Sequence, residues 1–259
     1  MTKFLRRARV SDLAWDLALL ALILAIGDAI AGLLAGLGYR IDLWSYRDGI
    51  GALPYVFWLA VAISAGSFVA SVLGLMYRRP GAIVCGVLAL LIAGVTAYVP
   101  WSLRQTAQRV PPIHDISTDT DNPPSFVRLV AARKPTDHPT TYDGPEVAAL
   151  QKKGYPDIMP IVLKASASRV FEESKTVLAR MGMKIVDAEP IQGRIEATDT
   201  SLLFGFEDDL VVRIVPAADG TVRVDVRSKS RVGRSDLGIN AHRIGTFTKT
   251  LQKRLAPAA

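Results

Sequence analysis

The sequence predicts three transmembrane α-helices followed by a water-soluble α+β domain. Hydrophobic residues make up 50% of the 259-residue chain, and long apolar runs concentrate them before Arg104. Only five of the 24 acidic residues precede Arg104, an asymmetry typical of a membrane part joined to a soluble part. The residues after Arg104 follow β-strand and helix periodicities, and they are numerous enough to form a core of their own.

A membrane domain is predicted for residues 1–103. Its three spans are expected at about 13–37, 54–76 and 81–101. Each run is long enough to cross a hydrocarbon core, which takes about 20 apolar residues. The first run is too long for a cleaved signal peptide, and two further spans follow it closely.

Basic residues predict the orientation of these spans. Six lysines and arginines lie in the N-terminal tail and in the turn between the second and third spans, against four on the opposite side. Cytoplasmic loops carry an excess of Lys and Arg, so we expect a cytoplasmic N-terminus. Three crossings then place the C-terminal domain in the periplasm or outside the cell. The expected location is a bacterial inner (plasma) membrane, which the chain crosses several times.

One ionisable side chain, Asp28, falls inside the first span. It shares a helix face with Gly32 and Gly36, and small residues allow another helix to approach closely. A carboxylate in hydrocarbon is costly, so it usually faces a partner helix or water. We expect Asp28 to hydrogen-bond to serines of the second span, or to sit high enough to reach water, and so only to fix helix packing. A proton or ion relay is the alternative. The Gly32/Gly36 face predicts association with the second span or with another copy of the chain.

A proline-rich segment is predicted for residues 104–157, running extended over the soluble domain. Its eight prolines exclude a single long helix or a central strand. The acidic run from His114 to Asp121 lacks the glycine and glutamate of a calcium-binding EF-hand loop. It therefore predicts turns rather than a metal site.

The soluble α+β domain is predicted for residues 158–259, in the order β-α-β-β-β-β-α. Hairpin-length links indicate a mainly antiparallel sheet with helices on one face. Its first helix is expected to begin at Ser166 or Ser168, and its last to cover about 237–255. The clearest strand points three valines one way, so its other face is expected to be charged and exposed to water. That other face would carry Arg223, Asp225, Arg227, Lys229 and Arg231.

Candidate ligand-binding residues gather near the junction of the last strand and the last helix. They are Arg231, Arg234, Ser235, Asp236, Asn240, Asp208 and Asp209. Ser235 or Asp236 is expected to cap the helix, whose free N–H groups and dipole favour an anion. Two nearby guanidinium groups would strengthen such a site, so an anion or lipid-headgroup site is predicted at this helix N-terminus. In the alternative, the two aspartates pair with the two arginines and only fix the turn.

Three stretches together carry a resemblance to a known family: Gly205–Leu210, Ser230–Asn240 and His114–Phe126. They resemble the bacterial family of domain of unknown function 1499, whose members are often membrane-anchored. The resemblance covers roughly residues 112–255. It implies placement in the cell envelope and a compact α+β domain, and it implies no activity.

These observations favour a membrane-anchored, non-catalytic binding or assembly module of the cell envelope, with a periplasmic hydrolase as the alternative. The only cysteine, Cys85, lies in a predicted span, and nucleophile-elbow, zinc-protease and P-loop patterns are absent from the sequence. We expect no metal and no cofactor. A triad of Ser235, His242 and Asp236 is disfavoured because a carboxylate adjacent to the serine cannot orient the imidazole. The expected partners are membrane lipids and another envelope protein; nucleic acid is not expected, since the basic strand lacks interleaved aromatics.

Overall fold

The computed structural model describes residues 2–256, and their side chains from Ser11 onward. Three long apolar helices precede an antiparallel sheet with shorter helices, so the predicted fold class is confirmed. In chain order the elements are α1 (Thr2–Arg40), α2 (Tyr46–Met76), α3 (Pro80–Arg109), β1 (Asp115–Ser117), α4 (Pro145–Gly154), β2 (Ile161–Leu163), α5 (Ala167–Arg180), β3 (Lys184–Glu189), β4 (Arg194–Thr200), β5 (Glu207–Pro216), β6 (Val222–Ser230) and α6 (Ile239–Leu255).

Helices α1, α2 and α3 are each long and apolar enough to cross a membrane, which is consistent with a membrane protein. The apolar helices cover Ser11–Arg40, Tyr46–Met76 and Pro80–Arg109. A capping box formed by Ser45 and Asp48 begins α2, because each side chain binds the other residue's backbone N–H. This box lets α2 start before Pro54, where the sequence predicts the second span to begin.

Small residues form the faces on which these three helices pack. They recur at alternating spacings of three and four, which is the repeat of a coiled-coil seam. In α1 the buried seam positions are Ala14, Ala18, Ala21, Ala25, Asp28 and Ala35. In α2 they are Val56, Ala60, Ile63, Ser67, Ala70 and Gly74. In α3 they are Ala82, Gly86, Ala89 and Ala93. Short side chains let the backbones approach closely, and packing in lipid depends on such approach.

The strands of the soluble part form one sheet of six, and every pair is antiparallel. The strand order is β1-β6-β5-β4-β3, and β2 pairs with the other end of β6. Asp115 of β1 lies opposite Lys229, whereas Ile161 of β2 lies opposite Val224. The long strand β6 therefore holds two short N-terminal strands on its outer edge.

Helices α5 and α6 cover one face of this sheet, as predicted. The Ser166 hydroxyl accepts a hydrogen bond from the Arg169 N–H and starts α5. Gly182, at φ 79°, follows the end of α5, since glycine tolerates this left-handed conformation. The core between helices and sheet contains Val170, Phe171, Leu178, Ile244, Phe247, Ile195, Leu210, Val212, Val224 and Val226.

The other face of the sheet is charged, but the prediction that it is exposed to water holds only for Arg223 and is wrong for the rest of β6. Asp225, Arg227 and Lys229 are buried, because residues 119–143 lie over them; we call this stretch the cover segment. Strand alternation shows which residues share a face, and it does not show what covers them. An irregular, proline-rich chain has unpaired C=O and N–H groups, and these groups bind the charged side chains in place of water. The proline-rich region also contains β1 and α4, two elements that the extended prediction does not include.

Candidate functional site

The cover segment hides a buried charge layer, defined by four fully buried carboxylates and the cations bound to them. The carboxylates are Asp115, Glu196, Asp209 and Asp225. Arg227 donates two hydrogen bonds of 2.8 Å to the two oxygens of Asp115. Lys229, which is also fully buried, is bound by the carboxylate of Asp143 and the carbonyl of Thr141. Buried ions are tolerated only with such partners.

Glu196 ties the cover segment to the sheet through backbone bonds. One carboxylate oxygen accepts the N–H of Val127 at 2.8 Å, and the other accepts the N–H of Leu129 at 2.8 Å. Arg128 donates a third bond from its N–H at 3.2 Å. These three bonds fasten residues 127–129 of the cover segment to β4. Glu196 is not among the predicted site residues, because nothing in its position within β4 indicates that it binds the cover segment.

Arg231 and Asp209, two predicted site residues, are paired inside the charge layer. The Arg231 Nη2 lies 2.9 Å from Asp209 Oδ1, and Nη1 binds Glu207 at 2.6 Å. Arg133 of the cover segment contacts the second oxygen of Asp209 at 2.9 Å. Burial lowers the pKa of the Arg133 guanidinium, and Asp209 opposes that shift. Asp209 therefore joins two arginines that lie far apart in the sequence.

Asp208 and Asn240, two further predicted site residues, lie on the opposite face of the sheet. Asp208 accepts a bond of 2.8 Å from Arg243, which binds Asp199 at the same distance. The Asn240 side chain bonds to the hydroxyl of Ser228 at 2.7 Å and to the carbonyl of His114 at 3.0 Å. Neighbouring residues of a strand point to opposite faces, so Asp208 and Asp209 cannot serve one site. The structure therefore does not bring all of the predicted residues into one site.

The three remaining candidates, Arg234, Ser235 and Asp236, lie just before α6. The predicted cap at Ser235 or Asp236 is wrong, because the N-cap is Gly238 in the left-handed conformation. The Asp236 carboxylate accepts the N–H groups of Gly238 at 2.9 Å and of Asn240 at 2.8 Å. Burial raises the pKa of Asp236, and these N–H bonds oppose the rise. The amides that an anion would use are thus already bound to the protein's own carboxylate.

The other two candidates at this junction add little to an anion site. The Ser235 hydroxyl accepts the N–H of Leu237 at 3.3 Å. Arg234 is exposed, and its expected partner Asp208 is bound to Arg243 instead. The residues between β6 and α6 therefore build a turn, with one exposed guanidinium beside it.

A groove beside α6, which the sequence did not reveal, contains open space. It encloses about 460 Å³ and is lined by Val110, Gly154, Tyr155, Pro156, Asp157, Ile158, Leu237, Gly238, Ala241, His242, Gly245, Thr246 and Lys249. A Cβ atom added to Gly245 would meet no atom within 4 Å, so this glycine faces the opening. Gly238, Ala241 and Gly245 follow one another at helical spacings of three and four. This stripe is the only signal in the sequence that could have indicated the groove.

Tyr155 is the unusual polar group of this groove. Its hydroxyl oxygen is buried and has no hydrogen-bond partner among the described residues. Burial raises the pKa of this phenol, and Asp236 raises it further. Buried hydroxyls almost always have partners, so the groove has an unused donor in its wall.

The structure does not assemble the disfavoured hydrolase triad of Ser235, His242 and Asp236. Both oxygens of Asp236 bind backbone N–H groups. The His242 Nε2 atom lies 3.5 Å from the Thr246 hydroxyl, in a neighbouring turn of α6. Within residues 2–256, no cluster of three His, Cys, Asp or Glu side chains is placed to hold a metal ion.

Two histidines stack at the edge of the charge layer. The rings of His114 and His138 lie 4.0 Å apart, centre to centre. His138 joins the cover segment to the loop before α6, since its N–H donates to the Arg231 carbonyl at 2.7 Å and its Nε2 lies 2.9 Å from the Gly233 carbonyl. The His114 Nε2 lies 3.2 Å from Asp143, although the geometry does not form a hydrogen bond. Burial lowers the pKa of His114, as does the neighbouring His138.

Asp28 occupies a seam position of α1 and is 4% exposed. Neither of its oxygens has a hydrogen-bond partner in the described part of the chain. The expected bonds to serines of α2 are not formed, because Ser64 and Ser67 donate to carbonyls of their own helix. Gly32 does face α2, since a Cβ on it would lie 3.4 Å from Val56.

Comparison with known families supports the resemblance seen in the sequence. Residues 115–251 match the family described as protein of unknown function DUF1499. No curated protein matches the chain. The matched region runs from β1 into α6 and so includes both the cover segment and the charge layer. On this match, which spans more than half of its length, the chain belongs to the DUF1499 family.

Proposed function

We propose that this chain is a membrane-anchored, non-catalytic binding module of the bacterial cell envelope. The observation that carries the proposal is the contrast between the charge layer and the α6 groove. Carboxylates and cations of the charge layer are bound to one another or to backbone groups, so they stabilise the fold. The groove instead combines open space with a phenol, Tyr155, whose hydroxyl has no partner in the described part of the chain. We therefore move the candidate ligand site from the α6 N-terminus to this groove.

The anchor is proposed to lie in the inner membrane with the N-terminus in the cytoplasm. The support is the excess of basic residues in the N-terminal tail and in the α2–α3 turn, together with three helices of sufficient length. Alkaline phosphatase fused to the C-terminus should be active. A fluorescent protein fused at the same place should not fluoresce, because it would be exported unfolded by the general secretion route. The reverse pattern would place the sheet domain in the cytoplasm and reject this orientation.

The binding role is tested with the full-length protein purified in detergent and studied by native mass spectrometry. We expect an additional mass to stay on the protein and to be lost in Gly245→Leu, because a Cβ at this position meets no atom within 4 Å and the longer side chain would then occupy the groove. Ala179→Leu is the matched control, since it adds the same side chain to an exposed position of α5. A protein that carries no additional mass after gentle purification would contradict the proposal.

The non-catalytic part of the proposal has its own test. A panel of ester and phosphoester substrates should remain intact in the presence of the purified chain. Hydrolysis that disappears in His242→Ala would show an enzyme and overturn this part.

A further inference from the structure

The shape of the α6 groove indicates what kind of molecule can lie in it. Ala241 and Gly245 form its floor, and neither side chain extends beyond Cβ. Val110, Ile158 and Leu237 contribute apolar surface. The floor belongs to a helix, whose N–H and C=O groups bond within the helix, so a peptide would find no strand edge to pair with. An apolar groove without backbone partners fits an unbranched hydrocarbon chain.

The polar groups of the groove indicate what the other end of the ligand carries. The buried Tyr155 hydroxyl can donate a hydrogen bond and has no acceptor in the described protein. Lys249 is exposed in the lining. Lys153 directly precedes the lining residue Gly154 in the chain, and Lys253 follows Lys249 by about one turn of α6. Asp157 is the one acid of the lining. A negatively charged group with several acceptor oxygens complements this set.

The covalent structure also indicates where such a ligand comes from. Val110, in the groove wall, directly follows Arg109, at which the membrane-length helix α3 ends. Few residues of chain therefore separate the groove from an apolar helix that can lie among lipids. Phospholipids supply both an acyl chain and an anionic head.

We propose that the α6 groove binds one acyl chain of an anionic phospholipid, whose phosphate lies at Lys249 and whose head accepts a hydrogen bond from Tyr155. This inference rests on the proposed binding function and names its ligand class. The acyl chain would lie over Ala241 and Gly245, where it replaces water on an apolar surface.

The test uses the full-length chain in lipid nanodiscs that contain a photoactivatable acyl chain. One preparation carries it on phosphatidylglycerol, and the other carries it on zwitterionic phosphatidylcholine. After irradiation, mass spectrometry locates the labelled peptides. We expect labels from phosphatidylglycerol on residues 154–158 and on α6, several-fold above those from phosphatidylcholine.

Three substitutions make the result specific. Lys249→Gln and Tyr155→Phe should each lower phosphatidylglycerol labelling of α6 several-fold, while the matched control Lys184→Gln should not, because Lys184 is an exposed lysine on β3. Since the Tyr155 hydroxyl has no partner in the described protein, its removal should leave the fold intact. Hydrogen exchange of the β6 amides checks that every variant is folded.

The outcomes separate this inference from the proposed function. Equal labelling of α6 by both lipids, unaffected by Lys249→Gln, would reject the anionic lipid. A retained mass that is not a lipid, with no label in the groove, would reject the lipid and leave the binding module in place. A protein with neither retained mass nor label would reject both.

Discussion

The guanidinium of Arg227 binds the carboxylate of Asp115 through two parallel hydrogen bonds of 2.8 Å, and both side chains are buried. Lys229 lies 3.3 Å from the same carboxylate. The first strand of the sheet is thereby joined to the last strand by charge as well as by backbone pairing. This pairing, the close approach of Gly193 to β5, the burial of His114 and the burial of Asp28 can each be tested by substitution.

Asp115→Asn should destabilise the sheet domain by about 3–5 kcal/mol, because it leaves the buried charge of Arg227 without its counterion. Hydrogen exchange of the β1 and β6 amides in the full-length protein measures the loss. Asp121→Asn is the control, since Asp121 pairs with Lys152 on the surface, and such pairs contribute about 0–1 kcal/mol. Equal effects of the two substitutions would contradict the structural role of the charge layer.

Gly193→Ala should be far more damaging than Gly220→Ala, although both glycines have positive φ angles of 62° and 80°. A Cβ on Gly193 would lie 2.2 Å from the Ile214 carbonyl oxygen, whereas a Cβ on Gly220 would meet nothing within 4 Å. The backbone strain of about 1–3 kcal/mol is common to both, and the clash is added only at Gly193. Pulse proteolysis of the two variants measures the difference, and similar stabilities would count against the close approach of Gly193 to β5.

The sheet domain should lose stability on acidification through His114. Burial, and then His138, lower the pKa of His114 in the folded state, so below pH about 6.5 the unfolded chain binds a proton that the folded domain does not. The contribution of His114 to the free energy of unfolding is therefore complete above that pH. It falls as pH drops toward the lower folded pKa, by at most about 1.4 kcal/mol per pH unit for one group.

The measurement is urea-dependent pulse proteolysis between about pH 7.5 and 5, a range that spans the ordinary histidine pKa of about 6.5. His114→Gln should flatten the dependence. His242→Gln, at an exposed position of α6, should leave it unchanged. A slope that persists in His114→Gln would assign the effect to other groups.

Asp28→Ala should leave the helical bundle as stable as before, or make it more stable. The carboxylate has no hydrogen-bond partner among the described residues, and burying such a group costs about 1–3 kcal/mol, while alanine matches its neighbours in the seam. All four tryptophans lie before residue 102, so their fluorescence during thermal unfolding in detergent reports on this bundle alone. Asp16→Ala, at an exposed position of α1, is the control. Strong destabilisation by Asp28→Ala alone would show that Asp28 has a partner.

Local patterns predicted much of the fold. Apolar runs predicted α1 to α3, a serine cap predicted the start of α5, and the alternating valines of β6 predicted the buried face of the sheet. These features depend on neighbours a few residues away, so they can be read without knowing the fold. The charged residues opposite the valines were assigned to water, because nothing near them in the sequence shows that residues 119–143 cover them.

The site was harder to predict, for a related reason. Arg231 and Asp209 were correctly considered as a possible pair, since strands joined by a hairpin bring them together. Arg133 and Arg243 were missed because their contacts with Asp209 and Asp208 join distant parts of the chain. The cap of α6 was misplaced because Asp236 binds the helix amides from outside the helix, where Gly238 is the N-cap.

The position of β1 determines when this domain can be completed during synthesis. Asp115, Ile116 and Ser117 pair only with residues 227–229, so the first strand leaves the ribosome long before its partner exists. The chain between β1 and β6 forms a long loop, and closing a long loop is slow compared with local folding. Until β6 has been made, the Asp115 carboxylate of β1 lacks the Arg227 guanidinium that binds it in the folded domain. A nascent chain in that state is still loose enough to be threaded through a membrane channel, and burial of its charges would then lock it on the side that it reaches.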